Sequence, residues 1–199
     1  MDFSAAERAG RIRLILFDVD GVLTDGKIWT LPLAAIGQSD GNAVEKTFEA
    51  KGFHAQDGVG ISLARIAGIH CGVITKRSSE TVAQRARALR MEYVYMGQEY
   101  KIQAVREIMQ RGSFTLEQIA YVGDDVIDLP VMRVCGLAIA VANARDQVKA
   151  AAHYVTPHAG GQGAGRDAID FVLQARGILD QCIEEYLDER NAPAPQHGA

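Results

Sequence analysis

Short unbroken apolar runs alternate along the chain with stretches whose apolar residues recur at helical spacing. Buried parallel strands give the first pattern and amphipathic helices the second. Strands are expected near residues 12–17, 69–74, 119–122, 137–141 and 154–155. Helices are expected near 59–67, 79–90, 101–111, 127–134, 145–150 and 164–175. This alternation predicts an α/β fold, a doubly wound parallel sheet with helices on both faces. A last helix over 178–190 would place Ile178, Leu179, Cys182, Ile183, Tyr186 and Leu187 on one face, for its own core or for a second subunit.

The alternation breaks between Gly21 and Gly58. Residues 28–31 and 46–53 read as a small two-stranded β-flap within about 22–57, with Pro32, Gly37, Gln38, Ser39, Asp40, Gly41 and Asn42 as turn material. Residues 1–190 are expected to form one domain. Residues 191–199, with Pro193 and Pro195, are expected to be a disordered tail.

Composition narrows the classes. The 199 residues are 48% hydrophobic and 23% charged, enough for one substantial core in an ordinary globular protein. A net charge of −4 with no basic run argues against nucleic acid as a partner. Cys71, Cys135 and Cys182 are far apart and have no zinc-type spacing; Cys71 and Cys135 lie beside apolar runs and read as small buried hydrophobes, which fits a reducing cytoplasm. Residues 1–13 lack the apolar centre of a signal peptide, and no apolar run approaches the ~20 residues that span a membrane.

The chemistry concentrates where apolar runs end. Residues 14–17 lead directly into Asp18, Asp20 and Gly21. Carboxylates at the end of a buried strand are costly unless paired or bound to a cation, and a divalent cation prefers oxygen ligands. Thr75 ends a second run, Asp124 with Asp125 and Asp128 follows a third, and Lys101 opens a helical segment. In open α/β sheets, ligands bind beyond the carboxyl ends of the strands.

The ordered set Asp18-Val19-Asp20-Gly21-Val22, Thr75, Lys101 and Gly123-Asp124-Asp125 to Asp128 resembles the haloacid dehalogenase (HAD) superfamily of phosphohydrolases. Residues 53–61, 74–78, 121–128 and 160–166 further resemble the phosphatases of 3-deoxy-D-manno-octulosonate 8-phosphate. The likeness spans about residues 11–176. It implies a HAD-like Rossmannoid sheet without a large cap and an enzyme that hydrolyses a phosphomonoester through an aspartyl-phosphate. Asp18 would be the nucleophile and Asp20 the general acid and base. Thr75 and Lys101 would hold phosphoryl oxygens. Mg²⁺ would bind the Asp18 carboxylate, the Asp20 backbone carbonyl and Asp124, with Asp128 and Asp125 behind them. Asp57, Gly58, Arg77, Arg85 and Arg166 would meet a small phosphorylated sugar acid. Guanidinium groups suit such carboxylates and phosphates.

Gln56, Lys76 and the enlarged flap depart from the resembled pattern at positions that touch substrate choice. An N-acylneuraminate 9-phosphate, or another keto sugar acid phosphate, therefore stays open as the alternative substrate. A phospho-receiver domain is disfavoured, because it would carry its phosphoacceptor after a middle strand, where this chain has Thr75. Only about 37 residues separate Asp20 from Gly58 and about 26 separate Thr75 from Lys101, lengths of connectors rather than lid domains. The resembled phosphatases are tetramers. A homotetramer is thus expected, a neighbour completing each site through its flap or its 160–166 segment.

Overall fold

The computed structural model describes residues 3–32 and 47–191. Its centre is a six-stranded, wholly parallel sheet of β1 (Leu14–Phe17), β4 (His70–Ile74), β5 (Tyr93–Tyr95), β6 (Ile119–Gly123), β7 (Leu137–Ala140) and β8 (Tyr154–Val155). The order is β5-β4-β1-β6-β7-β8. The two remaining strands, β2 (Trp29–Pro32) and β3 (Thr47–Ala50), form a separate antiparallel pair, the flap.

The expected fold class holds: a doubly wound parallel sheet with a small flap and, among the described residues, no large cap domain. The core strands are apolar throughout because both faces are covered, and every residue of β1, β6 and β7 is buried. On the helical side, α1 (Ala5–Ala9), α2 (Ala55–Ile66), α7 (Ala164–Ala175) and α8 (Leu179–Asn191) pack together. The helices α4 (Lys101–Gly112), α5 (Leu129–Met132) and α6 (Asp146–Ala151) form a second group, and α3 (Glu80–Ala88) joins β4 to β5. Leu14–Phe17 pair with His70–Val73 on one side and Ile119–Val122 on the other. The chain extends the sheet from β1 towards β5 and then returns across β1 to β6, so the order reverses at β1. Ligands favour this switch point.

Several boundaries differ from expectation. The helix expected from Val59 begins at Ala55, so Asp57 and Gly58 lie in its first turn. Gly60 keeps the contact close: a Cβ would lie 3.0 Å from Arg166 Cδ, where α2 and α7 touch. The helix expected over 127–134 divides into a tight turn, Val126–Asp128, and the short α5, with Pro130 in its first turn. Pro32 closes β2 rather than entering a turn, opposite Thr47. The other flap turn residues and the tail from 192 onward lie outside the described residues, and Asn191 is the last residue of α8.

Candidate active site

Three adjacent strands deliver the polar residues. Asp18 follows β1, Thr75 follows β4 and Asp124 follows β6, and parallel pairing brings these ends to the same edge of the sheet. Beyond Asp18 the chain makes one wide turn, closed by the Thr24 N–H donating to the Val19 carbonyl at 3.0 Å. Gly21 sits in it at φ +98°, and a Cβ there would lie 2.2 Å from Asp124 Oδ2. Only glycine gives both that backbone and that approach. The turn is backed by the 160–163 loop. A Cβ on Gly160 would lie 1.7 Å from the Gly21 carbonyl oxygen, and the Gly161 N–H donates to the Val22 carbonyl at 3.0 Å. This glycine-rich segment therefore braces its own chain's turn.

Lys101, in the first turn of α4, joins the strands. Its Nζ lies 2.8 Å from Asp18 Oδ1 and 2.7 Å from Asp128 Oδ1, with all three side chains buried. Asp128 is saturated: it also accepts from the Tyr121 hydroxyl at 2.8 Å and from the Asp124 backbone N–H at 3.0 Å. Asp125 turns elsewhere. Its carboxylate accepts from the Val126 N–H at 2.7 Å and caps the turn, the capping role that stood open beside a place behind the metal ligands.

Carboxylate oxygens of Asp18, Asp124 and Asp128 all lie within 4.8 Å of one another. Burial pushes the Asp18 carboxyl up to about 6, with the Asp128 charge adding to the shift and Lys101 opposing it. Burial, then Asp18 and Asp128, pushes Asp124 up to about 7. Burial would lower the Lys101 ammonium, but Asp18 and Asp128 outweigh it and the net shift is upward. One ammonium faces three carboxylates, which leaves negative charge uncompensated. Among the described residues, the buried Asp124 Oδ1 has no hydrogen-bond partner. A hard divalent cation fits this set: it takes oxygen ligands and offsets like charges that otherwise resist ionising together.

Asp20 is held differently. Its Oδ1 is ion-paired with Lys51, just past β3, and its Oδ2 lies 3.8 Å from Arg77 Nε. Arg77 also pairs with Glu49 of β3. Arg77 thus stands beside Asp20. Asp57, Gly58, Arg85 and Arg166 form another group, between the starts of α2 and α7. Asp57 Oδ1 accepts from the Arg166 backbone N–H at 2.8 Å, and burial pushes its carboxyl up to about 6 against that bond. Arg85 lies over the Phe53 ring at 5.7 Å and against Gly58. Among the described residues, Asp57 Oδ2 and Arg85 Nε have no hydrogen bond. Arg166 Nε donates to Asp170 Oδ1 at 2.7 Å on its own helix.

Sequence reasoning passed over Lys51, Glu49 and Tyr121. The signal for Tyr121 was its polar hydroxyl inside an otherwise apolar strand. For Lys51 and Glu49 the contacts are made across the fold, and local pattern carries no sign of them.

Acidic residues at the carboxyl ends of central parallel strands, closed by one buried lysine and one buried threonine, define a site of the phosphohydrolase kind. A family model for haloacid dehalogenase-like hydrolases matches residues 77–165. The chain is 40% identical over 174 residues to the 3-deoxy-D-manno-octulosonate 8-phosphate phosphatase KdsC of Escherichia coli K12, covering 87% of this chain and 86% of that one. The crystal structure of the phosphatase of that name from Yersinia pestis matches with a TM-score of 0.79 at 38% identity, over 88% of both chains. The Moraxella catarrhalis phosphatase in complex with magnesium, phosphate and KDO matches with a TM-score of 0.79 at 32% identity, over 92% of this chain and 97% of that one. The chain belongs to the haloacid dehalogenase-like hydrolases, in the family of the 3-deoxy-D-manno-octulosonate 8-phosphate phosphatases.

Proposed function

We propose that this enzyme hydrolyses 3-deoxy-D-manno-octulosonate 8-phosphate to the free sugar acid and phosphate, through an aspartyl-phosphate on Asp18. The observation that carries the reading is the buried Asp18–Lys101–Asp128 bridge beside Asp124. The substrate follows from the likeness to phosphatases of that name over most of both chains.

The first difficulty in such a reaction is bringing an anionic nucleophile to an anion. Lys101 places positive charge beside the attacking carboxylate, and Thr75 can donate its hydroxyl to a phosphoryl oxygen. An Asp18 oxygen bonds to phosphorus as the ester P–O bond breaks. The departing sugar oxygen keeps the electron pair and takes a proton from Asp20. Water then attacks the aspartyl-phosphate, gives a proton back to Asp20 and releases phosphate. The covalent route divides one slow displacement into two easier ones. The Asp18 and Asp124 carboxylates and the Asp20 backbone carbonyl would hold Mg²⁺, which would supply charge that offsets the phosphoryl oxygens. Asp128 holds Lys101 and the Asp124 backbone in place. Arg77 and Arg85 are the cations offered to the sugar carboxylate.

We further propose a cytoplasmic homotetramer. Three free, buried cysteines suit a reducing compartment. The flap exposes Ile28 (53%), Trp29 (55%) and Leu31, an apolar strip that suits a neighbouring subunit. The 160–163 loop is already engaged with its own chain, which leaves the flap as the element to complete a neighbour's site.

Phosphate release should be measured with Mg²⁺ across 3-deoxy-D-manno-octulosonate 8-phosphate, an N-acylneuraminate 9-phosphate, hexose phosphates and nucleotides, with light scattering on the same samples. The eight-carbon acid should give the highest kcat/KM and the mass should be that of four chains. Higher kcat/KM on any other ester would overturn the substrate, and an active monomer would overturn the shared site.

A further inference from the structure

Lys51 contributes no apolar packing that a leucine would not supply better, yet its side chain is fully buried. Burying an ammonium costs several kcal/mol in effective desolvation, and a buried ion pair is a weak source of stability. Its location suggests what it does instead. The Nζ contacts two carboxylates: Asp20 Oδ1, and Glu49 Oε1 at 3.3 Å. Glu49 in turn takes Arg77, and Arg77 Nε returns to within 3.8 Å of Asp20 Oδ2. The four side chains form a closed ring of alternating charge that ties the flap to the aspartate two residues after Asp18. The separation at Oδ2 exceeds hydrogen-bond range. Lys51 therefore grips one oxygen of Asp20 and leaves the other for exchange of a proton.

We propose that Lys51 is the positioning residue for Asp20: from the flap it fixes the carboxylate that protonates the leaving oxygen. The proposal rests on the assignment of Asp20 as general acid. The backbone of Asp20 lies in the glycine turn, but its carboxylate has no partner within that turn. Asp18, by contrast, is anchored by the Val19 N–H at 2.7 Å and by Lys101. Among the described residues, the Asp20 side chain without Lys51 would retain only the longer contact to Arg77, whose side chain is 44% exposed. Misplacing a group by about 1 Å can cost on the order of 10²-fold in rate.

The leaving group separates this role from plain support of the fold. In kcat/KM the first phosphoryl transfer is read. A sugar alkoxide needs Asp20's proton as the P–O bond breaks, whereas 4-nitrophenolate departs stably without one. Lys51→Met keeps the apolar stem and removes the charge; Lys51→Arg keeps the charge. Both are compared with Asp20→Asn on 3-deoxy-D-manno-octulosonate 8-phosphate and on 4-nitrophenyl phosphate, after thermal melting establishes that each variant is folded. General acid catalysis contributes roughly 10²–10⁴-fold, so Asp20→Asn should lose about that factor on the sugar ester and far less on the aryl ester. Lys51→Met should show the same selective pattern at about 10–100-fold in kcat/KM, and Lys51→Arg should recover part of it. An equal loss in kcat/KM on both esters in Lys51→Met would mean structural support only. Weaker binding of the intact sugar ester to Lys51→Met in an Asp18→Asn background, where no turnover occurs, would make Lys51 a substrate contact, and either result overturns the positioning role. If Asp20→Asn is not selective, Asp20 is not the acid and nothing remains for Lys51 to position. If the unaltered protein turns over neither ester, the function itself fails, and this role with it.

Discussion

Replacing Tyr121 by Phe tests how firmly the buried charges are held, because it removes one hydroxyl and changes nothing else in shape. Tyr121 and Asp128 are both fully buried, and the hydroxyl donates to Asp128 Oδ1 at 2.8 Å. Burial, and then the negative charge of Asp128, holds the phenol well above its ordinary pKa, so it is a donor at every working pH. A hydrogen bond to a charged group contributes about 1.5–3 kcal/mol. Asp128 would still have Lys101 at 2.7 Å and the Asp124 N–H at 3.0 Å, so the carboxylate would not be orphaned. The lower half of the range applies, about 1.5–2 kcal/mol. In a chain of this length each kcal/mol moves Tm by about 2–4 °C, which gives a fall of about 3–8 °C. The aromatic face, 5.9 Å from Lys101 Nζ, survives the change, so Lys101 stays in place and kcat/KM should fall less than about tenfold. Calorimetric melting and phosphate release on the same preparation read both numbers. A Tm within 1 °C of the parent would show that the bond carries no net stability. A loss of turnover as deep as that of Asp18→Asn would show that Tyr121 acts on the chemistry rather than on Asp128.

Gly21→Ala drives a Cβ to within 2.2 Å of Asp124 Oδ2 at a φ of +98°; Mg²⁺ affinity by titration calorimetry and turnover should both collapse, and near-parental values would refute the crowding. Asp18→Asn should abolish turnover and leave no trappable aspartyl-phosphate, since an amide is a poor nucleophile. Mg²⁺ at about 100 times its Kd should stabilise the protein by about 2.7 kcal/mol, so excess chelator should lower Tm by several degrees; a Tm indifferent to both would argue against a resident ion. Asp57 has its folded pKa raised from 3.8 to about 6, so the folded state holds the proton more tightly. Its contribution is complete below the unfolded value and is lost as pH rises through about 6. At about 1.36 kcal/mol per unit this is at most about 3 kcal/mol, and Asp57→Asn should flatten that part of the stability–pH curve.

What could be read in the chain was whatever is local. A central parallel strand buried on both faces must be apolar throughout, so the polar residue that ends it, Asp18, Thr75 or Asp124, stands out against its run. The same reasoning misses β5, which is three residues long at the sheet edge and has Val94 exposed between Tyr93 and Tyr95. Helix α2 begins a turn earlier than expected because Gly58 and Gly60 depress helical propensity, and their reason is tertiary: Arg85 and Arg166 pack where a Cβ would be. The direction of Arg166 was equally illegible. An arginine after a glycine loop suggests an anion, and the bond from its Nε to Asp170 one turn later was not anticipated. Lys51 and Glu49 were missed because an alternating charged strand usually faces water, and only the folded flap brings them to Asp20.

The two aspartates of the first motif thus belong to different mechanical parts of the molecule. Asp18 is bound by its own strand end, by Lys101 of α4 and, through that lysine, by Asp128 after β6. Each of these anchors is buried in the sheet core or its covering helices, where packing leaves little room to shift. Asp20 meets the flap and Arg77 instead, at the edge of the solvent. On the proposed mechanism Asp18, as nucleophile, must keep one geometry through both chemical steps, and the rigid attachment suits it. The acid–base group must face the leaving sugar in the first step and water in the second, and what it faces is decided by whatever closes over the site. With no large cap among the described residues, the element that both touches Asp20 and presents an exposed apolar strip is the flap. Contact of that strip with a neighbouring subunit would therefore bear on Asp20 through Lys51 and leave Asp18 undisturbed. Assembly would then alter proton transfer more than nucleophilic attack.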